Sequence, residues 1–253
     1  MSQPSPTSLL SEQLQYLQLP FIRAQGAEMA AEAARHHWDH LEYLRRLVED
    51  EYLQRQHRSV QRRLKAARFP VLKTLDQFLW DWPKKINRLQ VQNLFRLEFI
   101  TKNANVIFLG PTGLGKTHLA TALGYTACLE GHSVLFTDAI AVVNNLSAAA
   151  QAGTLQRTLK QYLRPRVLIV DELGYLAIDQ RGADLLFQVI SQRYERGSII
   201  LTTNKPFSQW ASIFANDSTI ASAVLDRLLH HAEAVLITGR SYRMKDKAEP
   251  TDA

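Results

Sequence analysis

Hydrophobic and polar positions follow two different patterns along the 253-residue chain. In residues 1–70, apolar side chains recur three and four positions apart, which is the spacing of one helix face. One such series is Leu41, Leu44, Leu47 and Val48. The pattern predicts helices near residues 7–18, 22–36 and 38–67. The pair Phe69-Pro70 ends the last helix, because proline disfavours helical geometry in the residue before it.

A different pattern begins near residue 100, where short apolar runs alternate with amphipathic stretches. The runs are rich in Val, Ile and Leu, and they are Asn105–Leu109, Ser133–Phe136, Arg166–Val170, Ser198–Leu201 and Ala234–Ile237. Nearly continuous apolar runs are typical of parallel strands that are buried on both faces. Because each pair is separated by enough chain for a crossover helix, we expect an α/β fold with a parallel sheet covered by helices.

These patterns divide the chain into parts. We predict an all-helical N-terminal region at residues 1–70 and an α/β domain at residues 71–245. The last residues, 246–253, form a polar tail that we expect to be disordered.

Composition narrows the class of protein. The hydrophobic share of 46% and the charged share of 21% are those of an ordinary globular protein. No apolar run approaches the roughly 18–20 residues that cross a bilayer, and the N-terminus lacks a signal-peptide pattern. The single cysteine, Cys128, excludes an internal disulfide framework and a multi-cysteine zinc site. We therefore expect a cytoplasmic protein with no membrane partner.

The charge balance points to a polyanionic partner. The net charge is +6, and the stretch from Tyr52 to Leu75 has seven basic residues and no acid. These candidate DNA contacts are Arg55, Arg58, Arg62, Arg63, Lys65, Arg68 and Lys73. Binding through phosphates should depend on salt, since each contact releases about one counterion. The alternative is a solvated helix face without a ligand.

A glycine-rich motif follows the first predicted strand. Residues 110–117 match the G-x-x-x-x-G-K-[ST] pattern of phosphate-binding loops and open an amphipathic helix. The candidate nucleotide-binding residues are Gly110, Pro111, Thr112, Gly113, Leu114, Gly115, Lys116 and Thr117. Glycines let main-chain N–H groups surround the phosphates, and the helix N-terminus adds partial positive charge. Lys116 would reach the β- and γ-phosphates of ATP, and the Thr117 hydroxyl would coordinate Mg²⁺.

Polar residues end two later strands at the edge where α/β sheets bind ligands. Asp171 and Glu172 follow the run Arg166–Val170, and we expect Asp171 to hold magnesium and Glu172 to polarise the attacking water. Thr203 and Asn204 follow the next strand, where an amide can bind the water or the γ-phosphate. The alternatives are an acidic helix cap for the first pair and an ordinary turn for the second.

Two arginines are candidates for the transition-state charge, Arg227 on a predicted helix and Arg243 near the C-terminus. Their spacing alone does not distinguish them from solvated surface arginines. The aromatic residues Phe69, Phe78, Trp80 and Trp82 favour packing between the helical region and the core over stacking on bases.

Several segments in their order resemble the AAA+ ATPases, and more narrowly the IstB-type ATPases, which are transposition helpers encoded beside an insertion-sequence transposase. The similarity runs from about Arg62 to Lys245. Its more specific markers are DELGY, RYERGS, LDRLLHHA and SYR. Helicase loaders of the DnaC type are related and share most of this core.

The resemblance implies roles that spacing does not settle. It implies that Asn204 is the sensor 1 residue, that Arg227 is an arginine finger completing a neighbouring subunit's site, and that Arg243 is the sensor 2 arginine. It further implies a homo-oligomer with shared ATP sites that assembles on duplex DNA, deforms it and recruits a cognate transposase.

Three functions are therefore compared. The resemblance favours an ATP-dependent regulator of transposition over a helicase loader whose N-terminal helices grip another protein. A small-molecule kinase would need an acceptor pocket and a basic lid. The chain instead has a separate helical region and a candidate trans arginine.

Overall fold

The computed structural model describes residues 6–244, so the predicted tail at 246–253 lies outside the described residues. The chain forms two compact units, Met1–Arg62 and Arg63–Ala253. The sequence-based boundary at residue 70 differs because the end of the third helix belongs to the second unit. There, Arg63 Nε donates a hydrogen bond of 2.8 Å to the Cys128 carbonyl, and Ala67 is fully buried.

The first unit consists of helices α1 (Pro6–Tyr16), α2 (Pro20–Arg35) and most of α3 (His40–Ala67). The three predicted helices are confirmed, with ends that agree within two residues. Of the predicted apolar series, Leu47 is buried, whereas Leu41, Leu44 and Val48 are exposed.

A buried carboxylate joins two helices of this unit. Glu51, on α3, accepts hydrogen bonds from the main-chain N–H groups of Phe21 and Ile22 at 2.8 and 3.1 Å. Its other oxygen receives Arg58 Nη2 at 3.1 Å. Since Leu19, which precedes α2, provides no side-chain cap, Glu51 supplies the acceptor that the free N–H groups of the first turn need.

The second unit is built on a five-stranded parallel sheet in the order β2-β3-β4-β1-β5. The strands are β1 (Asn105–Leu109), β2 (Val134–Asp138), β3 (Val167–Leu173), β4 (Ser198–Thr203) and β5 (Ala232–Leu236). This confirms the predicted α/β class, although β3 continues through both acidic residues instead of ending before them.

Helices cover both faces of the sheet. They are α4 (Arg88–Leu94), α5 (Glu98–Thr101), α6 (Lys116–Leu129), α7 (Ala139–Gln151), α8 (Leu155–Leu163), α9 (Gln180–Arg193) and α10 (Ser218–Leu229), with 3-10 helices at Phe207–Ser212 and Tyr242–Met244. Alternate residues of β1 enter different cores: Ile107 packs with α7, α9 and α10, whereas Val106 and Phe108 pack with α4 to α6. Full burial on both faces explains the continuous apolar runs.

The amino edge of the sheet is organised by a buried arginine. The Arg193 guanidinium donates to five main-chain carbonyls, including those of Tyr162 at 2.8 Å and Ser198 at 2.7 Å. Burial lowers the pKa of Arg193 to about 10. These bonds fix the turns that lead into β3 and β4.

The carboxyl edge gathers the loops that carry polar residues. In the sheet register, Leu109 at the end of β1 lies beside Thr203 at the end of β4, and β3 lies on the other side of β4. Between residues 6 and 244, no helix is long and apolar enough to cross a membrane.

Candidate functional site

The loop between β1 and α6 has a backbone that requires glycine. Gly113 and Gly115 have φ angles of 75° and 82°, in the left-handed region. A Cβ atom at Gly113 would lie 2.0 Å from Ser241 Oγ, and one at Gly115 would lie 2.7 Å from Phe78. The tight loop therefore depends on residues from both ends of the second unit as well as on its own sequence.

Lys116 and Thr117 occupy the first turn of α6, directly after this loop. The Lys116 ammonium group is largely buried and donates a hydrogen bond of 2.7 Å to the Pro111 carbonyl. Burial lowers the pKa of Lys116, and the nearby Asp171 and Glu172 carboxylates oppose that shift. The lysine is thus held within the loop, beside two acidic groups.

Asp171 is the buried acidic group of the site. Both of its carboxylate oxygens lie 3.0 Å from Thr117 Oγ1, and Oδ1 also receives Thr202 Oγ1 at 2.5 Å. Burial raises the pKa of Asp171, while the hydrogen bonds from Thr202 and Thr117 oppose the shift. A hydroxyl and a carboxylate in contact form the type of oxygen pair that fits Mg²⁺.

Glu172, the residue after Asp171, lies in a different environment. It is exposed and has a φ angle of 59°, and its N–H donates a hydrogen bond of 2.9 Å to Thr202 Oγ1. The register between β3 and β4 shifts between Val170 and Leu173. This irregularity places consecutive acidic residues in two settings: Asp171 is buried against Thr117, and Glu172 lines an open cavity.

The cavity at this edge has a volume of about 730 Å³. The loop residues 112–117 form one side, and Glu172, Asn204 and Arg243 also line it. The buried Oδ1 atom of Asn204 accepts no hydrogen bond from the described residues. An unpaired buried acceptor is costly, so a donor such as a water molecule fits this position. Thr203, by contrast, accepts a bond of 3.1 Å from the Lys205 N–H within its own turn.

The segment 70–83 forms another side of the cavity, which the sequence did not predict. Phe78, Leu79, Trp82 and Pro83 line it. Phe78 packs edge-on against His118 with ring centroids 5.5 Å apart. The Trp82 indole donates a hydrogen bond of 3.0 Å to the Arg240 carbonyl. The cavity thus combines a polar loop with an apolar and aromatic side, as a nucleotide requires for its phosphates and its base.

Arg227 lies apart from these residues. It is on α10, where Nη1 donates to the Ala223 carbonyl at 2.9 Å and the guanidinium carbon lies 4.9 Å from the Phe187 ring centroid. It is not among the residues that line the cavity. Of the residues predicted for catalysis and metal binding, the structure therefore brings together six, namely Lys116, Thr117, Asp171, Glu172, Asn204 and Arg243, and leaves Arg227 outside.

Residues 12–250 match the family model described as IstB-like ATP binding protein. The chain belongs to this IstB-like family. A protein of insertion sequence IS5376 from Geobacillus stearothermophilus, named for ATP binding, is 42% identical over 231 residues, which cover 91% of this chain and 92% of that protein.

A second IstB-like relative, the similarly named protein of insertion sequence IS21 from Pseudomonas aeruginosa, is 42% identical over 92% of this chain and 88% of its own length. Among solved structures, the DnaC helicase loader aligns with a TM-score of 0.52 at 22% identity, covering 65% of this chain and 96% of that one. DnaI aligns with a TM-score of 0.56 at 20% identity, covering 69% and 93%. These likenesses show the AAA+ fold.

Several members of the predicted basic set have intramolecular contacts in this IstB-like chain. Arg55 donates to the Gln18 carbonyl at 2.6 Å, and Arg58 pairs with Glu51. Arg63 bonds the Cys128 carbonyl, and Lys73 lines the cavity. The exposed members Arg62, Lys65 and Arg68 are the freest of the set to meet a phosphate backbone.

The raised pKa of Asp171 predicts a stability effect. The Asp171 carboxyl stays protonated to a higher pH in the folded state than in the unfolded chain. The free energy of unfolding therefore falls as the pH rises above the ordinary pKa of 3.8. Above the raised pKa the cost of ionisation is fully present. We expect Asp171→Asn to raise the Tm of nucleotide-free protein at pH 7, by about 2–4 °C for each kcal/mol of ionisation cost that the amide removes.

The control for this variant is Asp184→Asn, at an exposed position on α9, which should leave the Tm unchanged. The gain for Asp171→Asn should shrink as the pH approaches 4. If calorimetry shows a lower Tm for Asp171→Asn than for wild type at pH 7, the ionised Asp171 carboxylate does not destabilise the nucleotide-free protein, which contradicts the prediction.

Proposed function

We propose that this protein is a Mg²⁺-dependent ATPase that assembles on duplex DNA and recruits or stimulates a partner transposase. The observation that carries the proposal is the contact of Thr117 with Asp171 beside Lys116. This arrangement offers a triphosphate one cation and a pair of oxygen ligands for a metal. Magnesium, when bound, would neutralise charge on the β- and γ-phosphates.

The protein's own residues then have separate tasks. Lys116 leaves the Pro111 carbonyl for the phosphates, which offer it a stronger, charged acceptor. Glu172, exposed at the cavity, orients the attacking water and accepts its proton. Asn204 Oδ1 provides a neutral acceptor for the same water. Arg243 adds positive charge near the γ-phosphate.

The position of Arg227 supports a site shared between subunits. Its guanidinium is held over Phe187, and it does not line the cavity of its own chain. A rigid helix can present such an arginine to the cavity of a second copy, where it would stabilise transition-state charge. ATP would therefore favour assembly, and hydrolysis would release it.

The names of the relatives support the proposed partner. Proteins 42% identical over nearly the whole chain are named for insertion sequences, which supports a role in transposition over helicase loading. The exposed residues Arg62, Lys65 and Arg68 give a basic surface for DNA. A cytoplasmic location accords with this role.

Replacement of Glu172 by Gln tests the proposal. The variant should bind ATP normally because the phosphate loop is intact, but turnover should fall by about 10²-fold or more since the water loses its base. We expect it to remain assembled on duplex DNA with ATP, as seen by particle imaging and salt-dependent DNA binding.

Lys116→Ala is the matched control for the Gln variant, and it should lose ATP binding and ATP-dependent DNA binding together. Normal turnover by Glu172→Gln would remove the residue from its proposed role. Duplex DNA binding that needs an added helicase would favour the loader instead.

A mixing experiment tests the shared site. Arg227→Ala should bind ATP but hydrolyse it slowly, because its neighbour's site lacks the arginine. Mixed with Glu172→Gln, which has an intact arginine and a defective base, it should recover part of the activity. Arg181→Ala, at an exposed position on α9, should remain active alone. Absence of any rescue across mixing ratios would contradict the trans role.

A further inference from the structure

Two segments of the second unit meet at the amino edge of the sheet, away from the nucleotide cavity. Glu195 lies in the turn between α9 and β4, and His230 and His231 lie between α10 and β5. One ligand atom from each of the three side chains lies within 4.8 Å of the others. We call these residues the His-His-Glu cluster.

The proposed ATPase chemistry leaves these residues unused. They fall in the RYERGS and LDRLLHHA segments, whose only member with a proposed catalytic role is Arg227. Glu195 and His231 are 36 positions apart in the chain. The fold brings them into contact.

The backbone under the cluster is held in place. Asn103 Nδ2 donates to the Glu195 carbonyl at 2.8 Å, and the His231 carbonyl accepts the Asn105 N–H at 2.7 Å. Glu195 has a φ angle of 57°, a left-handed conformation that surrounding bonds must maintain. These bonds tie the backbone of Glu195 and of His231 to the segment at the start of β1.

The side chains are also oriented. The Tyr194 hydroxyl lies 2.5 Å from His230 Nδ1, and the two rings stack with centroids 5.9 Å apart. With the proton on Nδ1, which then donates to the Tyr194 hydroxyl, Nε2 of His230 has a free lone pair for a metal. His231 Nε2 lies 3.3 Å from Glu195 Oε1, and the two imidazole centroids are only 4.0 Å apart.

The electrostatic setting favours a cation. His230 caps the C-terminus of α10, where the helix dipole is negative, and Glu195 adds a full negative charge. Two imidazoles and one carboxylate are the ligand types of open zinc sites. Zinc would need ligand atoms roughly 3.3 Å apart, given bonds of about 2.0–2.1 Å in a tetrahedron. Exposed side chains can contract from 4.8 Å to that separation.

We propose that the His-His-Glu cluster binds one Zn²⁺ ion, with water as the fourth ligand. The ion would join the end of α10 to the turn before β4, three residues beyond Arg227 on the chain. It would thereby fix the helix that presents this arginine. Binding itself does not depend on the ATPase proposal, because no residue of the nucleotide cavity takes part.

The test uses the full-length protein, stripped of metal with a chelator and free of nucleotide. Zn²⁺ is titrated against a competing chromophoric chelator, and Co²⁺ is used in parallel to detect tetrahedral nitrogen and oxygen ligation by visible absorption. Wild-type protein should bind one tight equivalent. Glu195→Gln, an isosteric change at an exposed position, should weaken binding by roughly tenfold or more, and His230→Ala/His231→Ala should abolish it.

Two controls locate the ion. His36→Ala/His37→Ala removes another adjacent, exposed histidine pair and should leave the affinity unchanged. Asp171→Asn alters the nucleotide site and should also leave it unchanged. Circular dichroism checks folding, and Glu195→Gln carries the test if the double histidine variant fails to fold.

The proposal is overturned if wild-type protein binds no zinc at micromolar concentrations. It is equally overturned if Glu195→Gln binds as tightly as wild type, because the Glu195 carboxylate would then not be a ligand. Loss of binding in the His36/His37 variant or in Asp171→Asn would place the ion elsewhere.

Discussion

The contact between Thr117 and Asp171 is the interaction on which the site depends. A hydroxyl from the first turn of α6 meets a carboxylate from β3 at 3.0 Å, although 54 positions separate them in the chain. The parallel sheet makes this contact possible, since it delivers the ends of β1, β3 and β4 to one edge. Hydrogen bonds from Thr202 and Thr117 partly offset the cost of burying Asp171, and they hold its carboxylate beside the Thr117 hydroxyl.

At this edge of the sheet, two consecutive acidic residues differ in their exposure. Asp171 is buried and suited to a metal, whereas Glu172, the next residue, is exposed and suited to a water molecule. The register shift between β3 and β4 permits this difference in exposure. In a regular strand, consecutive side chains would only alternate between the two faces of the sheet. Arg227 lies outside the cavity of its own chain, and this supports the proposed site shared with a second copy. Fewer of the predicted DNA contacts are available than the sequence suggests, because Arg55, Arg58 and Arg63 already form bonds within the chain.

The sequence predicted features that depend on local patterns. The phosphate loop, the five strands and the three N-terminal helices each have a short motif or a periodicity. It missed features that depend on distant packing. Thr202, rather than Thr203, contacts Asp171, because the register shift decides which threonine faces β3. The aromatic side of the cavity was also missed, since Trp82 finds its acceptor 158 positions away at Arg240. Neither contact corresponds to a recognisable pattern in the neighbouring sequence.

We propose that Lys116, Thr117 and Asp171 together hold a metal-bound triphosphate. The most direct measurement is an experimental structure with a non-hydrolysable ATP analogue and Mg²⁺. We predict that Lys116 Nζ leaves the Pro111 carbonyl for the β- and γ-phosphates, and that Thr117 and Asp171 hold the metal. An analogue bound with Lys116 still on Pro111, or with its phosphates away from residues 110–117, would contradict it.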